Sequence, residues 1–559
     1  MKSSLGKNGG NWFLSEKEND KKNLNRITIL IILFLLAFGL RIGHRIIFYD
    51  LSYDKTRQIS ASGNYIKNNG ISDCTVTANN LAEITCKPQT WWASGYPVLL
   101  SWLNYFTKDF IISDYILIGL GFLILFLSAY FIFESINYSL TIVSPFHLFL
   151  LFSAFSFAPY HYLSTADLLS FAFFVAGCAA SLYIIKGVYF SASILTGLLF
   201  FSSGFIKYNF YPFLIIIPIA LFIVFLLTRK RQLIYSIIIY TITVLIGFCL
   251  LWILFPNNLT NQESKNFPTG WNWKHLLEFD VFPLKAFFFL DPFLLRLESY
   301  YWLEFIARLG LFTISFIFVL SFLIYAFNNL RKVYYKKIIN LENYVYLLGS
   351  ITLIINIGFL TWLSLRLAEF PQVGNPNWTF VWETRYYIPT MFFFQVYLFS
   401  LPFKIDLSVK KLKGIIGILA IIPIVFAITY WSWKHFDIFI NKRLDGTYYA
   451  ESADKVKIGN FLRDNLHKET QPSVLTFLNY GEGYGANRII NHNAKGYGAT
   501  RLDWDFSVSE KLNTSRSITL FFVLPRELSS LEGEFVKVNN ATIVLELSKS
   551  NLYRMEVEP

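Results

Sequence analysis

Charged residues are scarce in this sequence. They make up 15% of its 559 residues, whereas soluble domains carry roughly 25%. Hydrophobic residues account for 54% and aromatic residues for 19%. Apolar runs of about twenty residues, enough to cross a bilayer core of about 30 Å, recur along most of the chain. Segments of alternating polarity, about ten residues long as in membrane β-barrels, are missing. The composition therefore predicts a polytopic α-helical membrane protein.

Signatures of nucleotide and metal chemistry are missing as well. The sequence contains neither a P-loop nor a dinucleotide-binding fingerprint. Its histidines show no paired spacing typical of zinc ligands. Asp503 and Asp505 are spaced like an acidic metal-binding pair, but such lone pairs are usually surface turns. We therefore expect no cofactor and no metal.

The net charge of +12 comes from short basic clusters between apolar runs. The clusters are Arg229-Lys230-Arg231, Arg331-Lys332 with Lys336-Lys337, and Lys410-Lys411 with Lys413. Repeated clusters of this kind mark the cytoplasmic connections of a membrane protein. The charge pattern therefore argues against nucleic-acid binding, which favours a continuous basic surface.

Apolar runs and charge together predict about eleven spans. Their approximate limits are 27–48, 112–133, 142–158, 166–185, 190–206, 209–228, 233–255, 304–327, 344–365, 385–402 and 414–434. The run 27–48 has no small-residue cleavage site after it, so we expect it to remain as the first span. A cytoplasmic start and eleven crossings place the carboxyl terminus outside the cell. We expect an integral protein of the bacterial inner (plasma) membrane.

This topology divides the chain into three parts. Residues 1–26 form a cytoplasmic tail, 27–434 the membrane domain, and 435–559 a small extracytoplasmic α/β domain. The long polar segments 49–111, 256–303 and 366–384 become outer loops of the membrane domain. The last part carries a helical pattern at Ala450–Asn465 and strand patterns at Ser473–Phe477, Ser517–Val523 and Thr542–Leu547.

The four cysteines fall into two groups. Cys178 and Cys249 lie within apolar runs and are expected to pack as small apolar residues. Cys74 and Cys86 lie in the first outer loop, where the compartment is oxidising. We predict a disulfide between Cys74 and Cys86, with free thiols as the alternative.

Two carboxylates follow the first span closely, Asp50 and Asp54. They are either a hydrated pair at the membrane boundary, next to Lys55 and Arg57, or part of a reactive site. A carboxylate at this surface can serve as a general base for an incoming hydroxyl. A spacing of four residues places both on one face if a helix continues through them.

A series of motifs in the same order resembles the GT-C glycosyltransferases. The motifs are Asp54 followed by Gly63 and Gly70, Gly95-Tyr96-Pro97, Ser164 to Phe171, Gly197 to Asn209, and Glu383-Thr384-Arg385-Tyr386-Tyr387. They resemble the branch of protein O-mannosyltransferases and aminoarabinose transferases. The resemblance covers residues 27–400, through order and topology more than identity. Lys55 departs from the pattern, because a second carboxylate often follows the acidic residue of the family.

The resemblance implies transfer of a sugar from a polyprenyl-phosphate donor to an acceptor hydroxyl on the outer face. Asp54 or Asp50 would be the general base, with inversion at the anomeric carbon. Arg385 and Lys207 would stabilise the leaving phosphate, with Arg308 and Arg366 as further candidates. Arg385 or Lys207 could instead be a snorkelling anchor at the end of a span. Glu383, Tyr96 and Trp92 complete the predicted substrate-binding residues, although Trp92 fits an interfacial aromatic belt equally well.

Partners and alternatives follow from this reaction. The expected partners are the lipid-linked donor, the membrane lipids, and an acceptor that is a glycan, a lipid or a protein. A transporter or flippase is the alternative from another class, although the sequence lacks an internal repeat of the kind such proteins show. A ligase or polymerase of surface polysaccharide shares the lipid-linked donor and also stays open.

Overall fold

The computed structural model of the protein describes residues 25–43, 53–66, 68, 70–77, 80–88, 93–136, 144–155, 165–256, 301–366, 384–401, 425, 429, 457–458, 460–462, 464–465, 473–477, 501–502, 514–525, 541–547 and 550–559. Its longer helices are, in chain order, α1 (Asn25–Gly43), α2 (Tyr53–Ile66), α3 (Gly95–Thr107), α4 (Phe110–Glu134), α5 (Pro145–Phe155), α6 (Thr165–Ile185), α7 (Tyr189–Ile206), α8 (Ile216–Thr228), α9 (Gln232–Leu254), α10 (Tyr301–Lys336), α11 (Leu341–Arg366) and α12 (Ile388–Ser400). Turns of 3-10 helix precede α8 at Tyr208–Ile215 and α12 at Thr384–Tyr387.

Seven helical segments of the described chain are long and apolar enough to cross a membrane. They are α1, α4, α6, α7, Tyr208–Thr228, α9 and Leu341–Trp362 within α11. Each lies within a few residues of a predicted span. The helices α5 and α12 are apolar but shorter, with 11 and 13 residues. The last predicted span, 414–434, lies almost wholly outside the described residues, so the count of eleven stays a prediction. The protein is an integral membrane protein with a mostly helical fold.

The centre of the bundle is built from α4, α6 and α7, which pack side by side. Two serines join α6 to α7, because each donates its hydroxyl to the other's backbone carbonyl: Ser170 to Ser203 at 2.8 Å and Ser203 to Ser170 at 2.7 Å. Buried phenylalanines fill the space towards α12, where the ring of Phe174 lies 6.4 Å from that of Phe393. Such rings supply the dispersion contacts that hold helices together in lipid.

The two short helices α2 and α3 lie at one end of this bundle. An apolar cluster ties them to the starts of α4 and α6 and to the end of α7; it consists of Ile59, Tyr96, Leu100, Phe110, Leu117, Ala166, Leu169 and Ile206. We call this the α2–α3 end. At the opposite end, Arg26 of α1 pairs with Glu134, the last residue of α4. The segment predicted as an outer loop, 49–111, therefore contains two helices, α2 and α3, that pack on the bundle.

The described strands form two sheets. The hairpin of β1 (Ser72–Thr77) and β2 (Asn80–Pro88) pairs Cys74 with Cys86 in register, and Cys86 is disulfide-bonded. This register agrees with the predicted Cys74–Cys86 bond. Further along, β4 (Arg501–Leu502) adds to β1 in parallel.

The second sheet consists of strands from the last part of the chain. It has the order β3-β5-β7-β6, formed by Ser473–Phe477 (β3), Ile518–Pro525 (β5), Thr542–Glu546 (β6) and Ser550–Val557 (β7). The strand patterns predicted near 473, 517 and 542 coincide with β3, β5 and β6, whereas β7 is an additional strand. Residues 457–458, 460–462 and 464–465 are helical, within the helix predicted at Ala450–Asn465. A separate soluble domain at 435–559 stays a prediction.

Candidate functional site

The predicted base Asp54 lies in the first turn of α2. Its side chain is outside the described residues, as are Asp50, Trp92 and Glu383 altogether. One turn later, Gln58 is 1% exposed and Ile59 is fully buried in the apolar cluster. Because residues four apart share a helix face, Asp54 and Gln58 are neighbours along α2. The packing of Ile59 therefore fixes α2, and with it the backbone of Asp54, at the α2–α3 end.

Lys207 forms an ion pair with Asp167 at this end of the bundle. Its Nζ lies 2.9 Å from Oδ1 of Asp167, and the two side chains are 12% and 3% exposed. Lys207 directly follows α7, and Asp167 lies in the first turn of α6. A lysine at a span end is often a snorkelling anchor whose ammonium reaches water, but here the ammonium is turned inward onto a buried carboxylate. The pair holds a positive charge at a defined position.

Tyr96 belongs to the packing of this end. Its side chain is fully buried, and its hydroxyl donates to Oδ1 of Asp114 on α4 at 2.5 Å. Both the ring and the hydroxyl are thus engaged within the protein. We therefore assign Tyr96 to holding α3 against α4, and we leave it out of the proposed substrate contacts.

A close backbone approach also fixes α3 against the end of α7. A Cβ atom on Gly95 would lie 2.7 Å from the carbonyl oxygen of Phe205, closer than real contacts allow. Only a residue without a side chain fits there. Since Phe205 precedes Lys207 by two residues, this contact sets the distance between the start of α3 and the Asp167–Lys207 pair.

Arg385 lies on the 3-10 turn that precedes α12, and its side chain is outside the described residues. Asn356 of α11 holds this turn by donating its amide to the carbonyl of Tyr386 at 2.8 Å. One turn into α12, the ring of Phe392 lies 6.0 Å from that of Phe171, which follows Asp167 by one turn. The backbone of Arg385 therefore lies at the same end of the bundle as Asp167.

One end of the bundle thus brings together helix positions far apart in sequence. It holds Asp54 on α2, the Asp167–Lys207 pair, and the turn of Arg385. Carboxylates and cations at one membrane surface are the groups needed to accept a proton and to stabilise an anionic leaving group. Arg308 and Arg366 lie on α10 and α11, and their side chains are outside the described residues.

Sequence reasoning missed two carboxylates and an amide. Asp114 is fully buried beside Tyr96, Asp167 is 2% exposed beside Lys207, and Gln58 is 1% exposed. The signal for Asp114 and Asp167 was available, because an acidic residue inside an apolar run is costly unless it has a partner or a function. For Gln58 no comparable signal exists, since a glutamine in a polar segment is unremarkable until its burial is known.

Comparison with known proteins gives a match in structure only. No protein-family profile and no curated protein matches the sequence. The fold is similar to the crystal structure of ArnT from Cupriavidus metallidurans bound to undecaprenyl phosphate, with a TM-score of 0.50 and 9% identity over 94% of this chain and 97% of that chain.

The same protein in its apo state gives a TM-score of 0.43 with 10% identity, over the same shares of the two chains. Identities this low show similarity of the fold alone. The fold implied by the ordered motifs is thereby confirmed: the chain has a membrane-protein fold similar to that of ArnT.

Proposed function

We propose that the protein is a membrane glycosyltransferase that moves a sugar from a polyprenyl-phosphate donor to an acceptor hydroxyl. The observation that carries the proposal is the buried Asp167–Lys207 pair at the end of the bundle where Asp54 lies, on a GT-C-like fold. The solved ArnT structure with a TM-score of 0.50 holds undecaprenyl phosphate, which agrees with a lipid-linked donor. The reaction takes place on the extracytoplasmic face of the bacterial inner membrane, with residues 435–559 on the same side.

Lys207 is suited to binding the phosphate of the donor. Its ammonium has three N–H donors, and an ion pair with Asp167 at 2.9 Å keeps it in place. These donors can bind phosphate oxygens of the donor lipid. Arg385 is proposed as the second cation, because a guanidinium binds phosphate through two parallel hydrogen bonds. A cation fixed before the reaction stabilises the negative charge that develops on the leaving phosphate.

The proposed reaction is a single displacement. The carboxylate of Asp54 accepts the proton of the acceptor hydroxyl, and the hydroxyl oxygen forms a bond to the anomeric carbon of the sugar. The bond between that carbon and the phosphate oxygen breaks, and polyprenyl phosphate leaves with the bonding electrons. Because attack and departure occur on opposite faces, the anomeric configuration inverts. Asp50 is the alternative base.

Asp54→Asn tests the proposal directly. The amide cannot accept the proton, so we expect transfer to fall by about 10²–10⁴-fold. Purified protein in detergent, supplied with undecaprenyl-phosphate sugars and no nucleotide sugar, provides the assay. Binding of undecaprenyl phosphate should stay near that of the unchanged protein, because the carboxylate is not part of the proposed phosphate site.

A matched control is Asp109→Asn, the same change at a carboxylate with a structural task. Asp109 caps α4 by accepting hydrogen bonds from the N–H groups of Ile111 and Ile112, at 2.7 and 3.2 Å. Asparagine caps helices about as well, so this variant should remain active. Full activity in both Asp54→Asn and Asp50→Asn would refute the general-base assignment. Uptake of the lipid into vesicles without sugar transfer would favour a flippase instead.

A further inference from the structure

The side chain of Gln58 differs from those of Ser62 and Asn64, two other buried polar residues of α2. It is 1% exposed, and neither its amide nitrogen nor its amide oxygen has a hydrogen-bond partner. Downstream on α2, Ser62 donates to the carbonyl of Pro97 at 2.9 Å and also contacts the hydroxyl of Ser101. Asn64 donates its amide to the carbonyl of Ser72 at 2.7 Å. The hydrogen bonds of Ser62 and Asn64 thus hold α2 against neighbouring segments, whereas the amide of Gln58 forms no hydrogen bond with the protein.

A buried amide without partners destabilises a protein, because it has lost its hydrogen bonds to water without replacement. Glutamine is therefore a poor choice for pure packing at this position, where methionine has a similar shape without the polar atoms. The position of Gln58 points to another use. It lies one turn after Asp54 on the same face of α2, at the end of the bundle that holds the Asp167–Lys207 pair.

We propose that Gln58 is a substrate-binding residue that accepts and donates hydrogen bonds to hydroxyl groups of the transferred sugar. An amide offers two N–H donors and a carbonyl acceptor, and a sugar hydroxyl can both donate and accept. A phosphate oxygen only accepts hydrogen bonds, so it would leave the carbonyl of Gln58 unsatisfied. This inference rests on the proposed glycosyl transfer and adds a contact that distinguishes the sugar from its lipid carrier.

The burial of Gln58 makes the proposed contact more selective and slows its formation. A site whose buried polar groups pair with a substrate hydroxyl discriminates strongly against ligands that lack it. Because the amide is enclosed, the sugar reaches it only when covering side chains move. Association of the glycosylated lipid is therefore expected to be slower than that of a ligand entering an open site.

The test compares two lipids and two variants of the full-length protein in nanodiscs. The lipids are undecaprenyl phosphate and the same lipid carrying glucose, galactose or mannose, and their Kd values are measured by tryptophan fluorescence. In Gln58→Met we expect the affinity for the preferred glycosylated lipid to fall by about 5–30-fold, with no change for the bare lipid. The melting temperature of the ligand-free variant should be unchanged or higher, because an unsatisfied amide has been removed.

The control variant is Asn64→Leu, which removes an amide that is hydrogen-bonded within the protein. It should lower the melting temperature and leave the difference in affinity between the two lipids intact. Three outcomes would overturn the proposal for Gln58: an unchanged affinity difference in Gln58→Met, a lower melting temperature in that variant, or equal binding of both lipids by the unchanged protein. Failure of the unchanged protein to bind either lipid would instead overturn the proposed function and remove the basis for this inference.

Discussion

The two ends of α4 carry acidic residues in opposite environments. At the α2–α3 end, Asp114 is fully buried beside Tyr96, close to an Asp167–Lys207 pair whose side chains are 3% and 12% exposed. At the other end, Glu134 pairs with Arg26 at 2.5 Å, and these side chains are 33% and 24% exposed. Water screens the Arg26–Glu134 pair but hardly reaches the Asp167–Lys207 pair. Two ion pairs of similar length therefore differ in strength because they differ in burial. The α2–α3 end, which holds the buried pair, is the one suited to the proposed reaction.

The largest effect on stability is expected from Lys207→Met. The change leaves the carboxylate of Asp167 buried without the ammonium, and breaking a buried pair in this way costs about 3–5 kcal/mol. The free energy of unfolding in detergent, followed by denaturant titration, measures the loss. Sugar transfer should fall as well, because the proposed phosphate contact is removed.

The double variant Lys207→Met/Asp167→Leu separates stability from activity. An apolar pair of similar volume is often as stable as a buried ion pair, so most of the lost stability should return. Transfer should not return, since the cation is still missing. Restored transfer in the double variant would contradict the phosphate-binding role of Lys207, whereas Lys207→Arg should keep part of the activity.

Tyr96→Phe is expected to have the next largest effect. It removes one hydroxyl that donates to Asp114 and leaves the buried ring in place. A hydrogen bond to a charged group contributes about 1.5–3 kcal/mol, which the same titration detects. If Tyr96 supports only packing, the KM for the lipid-linked donor stays unchanged in protein kept at low temperature. A large rise in KM would return Tyr96 to the substrate-binding residues.

Glu134→Gln is expected to have the smallest effect. The partly exposed contact with Arg26 contributes about 0–1 kcal/mol, and the variant should transfer sugar at the unchanged rate. The contribution should shrink further as salt is raised to about 1 M, where screening acts within about 3 Å. A loss as large as that of Lys207→Met would remove the contrast between the two ends of α4.

Sequence reasoning succeeded where local patterns determine the structure. Apolar runs located α4, α6 and α7 to within a few residues, and short strand-like runs located β3, β5 and β6. The order of the motifs around Asp54, Lys207 and Arg385 also implied a fold that the solved structure of ArnT shares. These features depend on neighbours in sequence, so they are visible without the fold.

The partners of the buried polar groups were not predictable. Lys207 pairs with Asp167 across two helices, and Tyr96 pairs with Asp114 on the next helix. Such choices depend on helix rotation and on close approaches such as that of Gly95 to Phe205, which no pattern in the chain records. The burial of Gln58 belongs to the same class, because it is set by what packs over α2 rather than by α2 itself.

The short parallel strand β4 joins a late part of the chain to an early one. Thr75 pairs with Arg501 and Val76 with Leu502. The hairpin is therefore synthesised early, whereas its third strand exists only after nearly the whole chain has been made. Until then the edge of β1 is open to pairing with other chains, and a contact of such high sequence separation forms slowly. A protein truncated before residue 501 would therefore keep its membrane helices and its hairpin, but the edge of β1 that β4 covers would lack this partner strand.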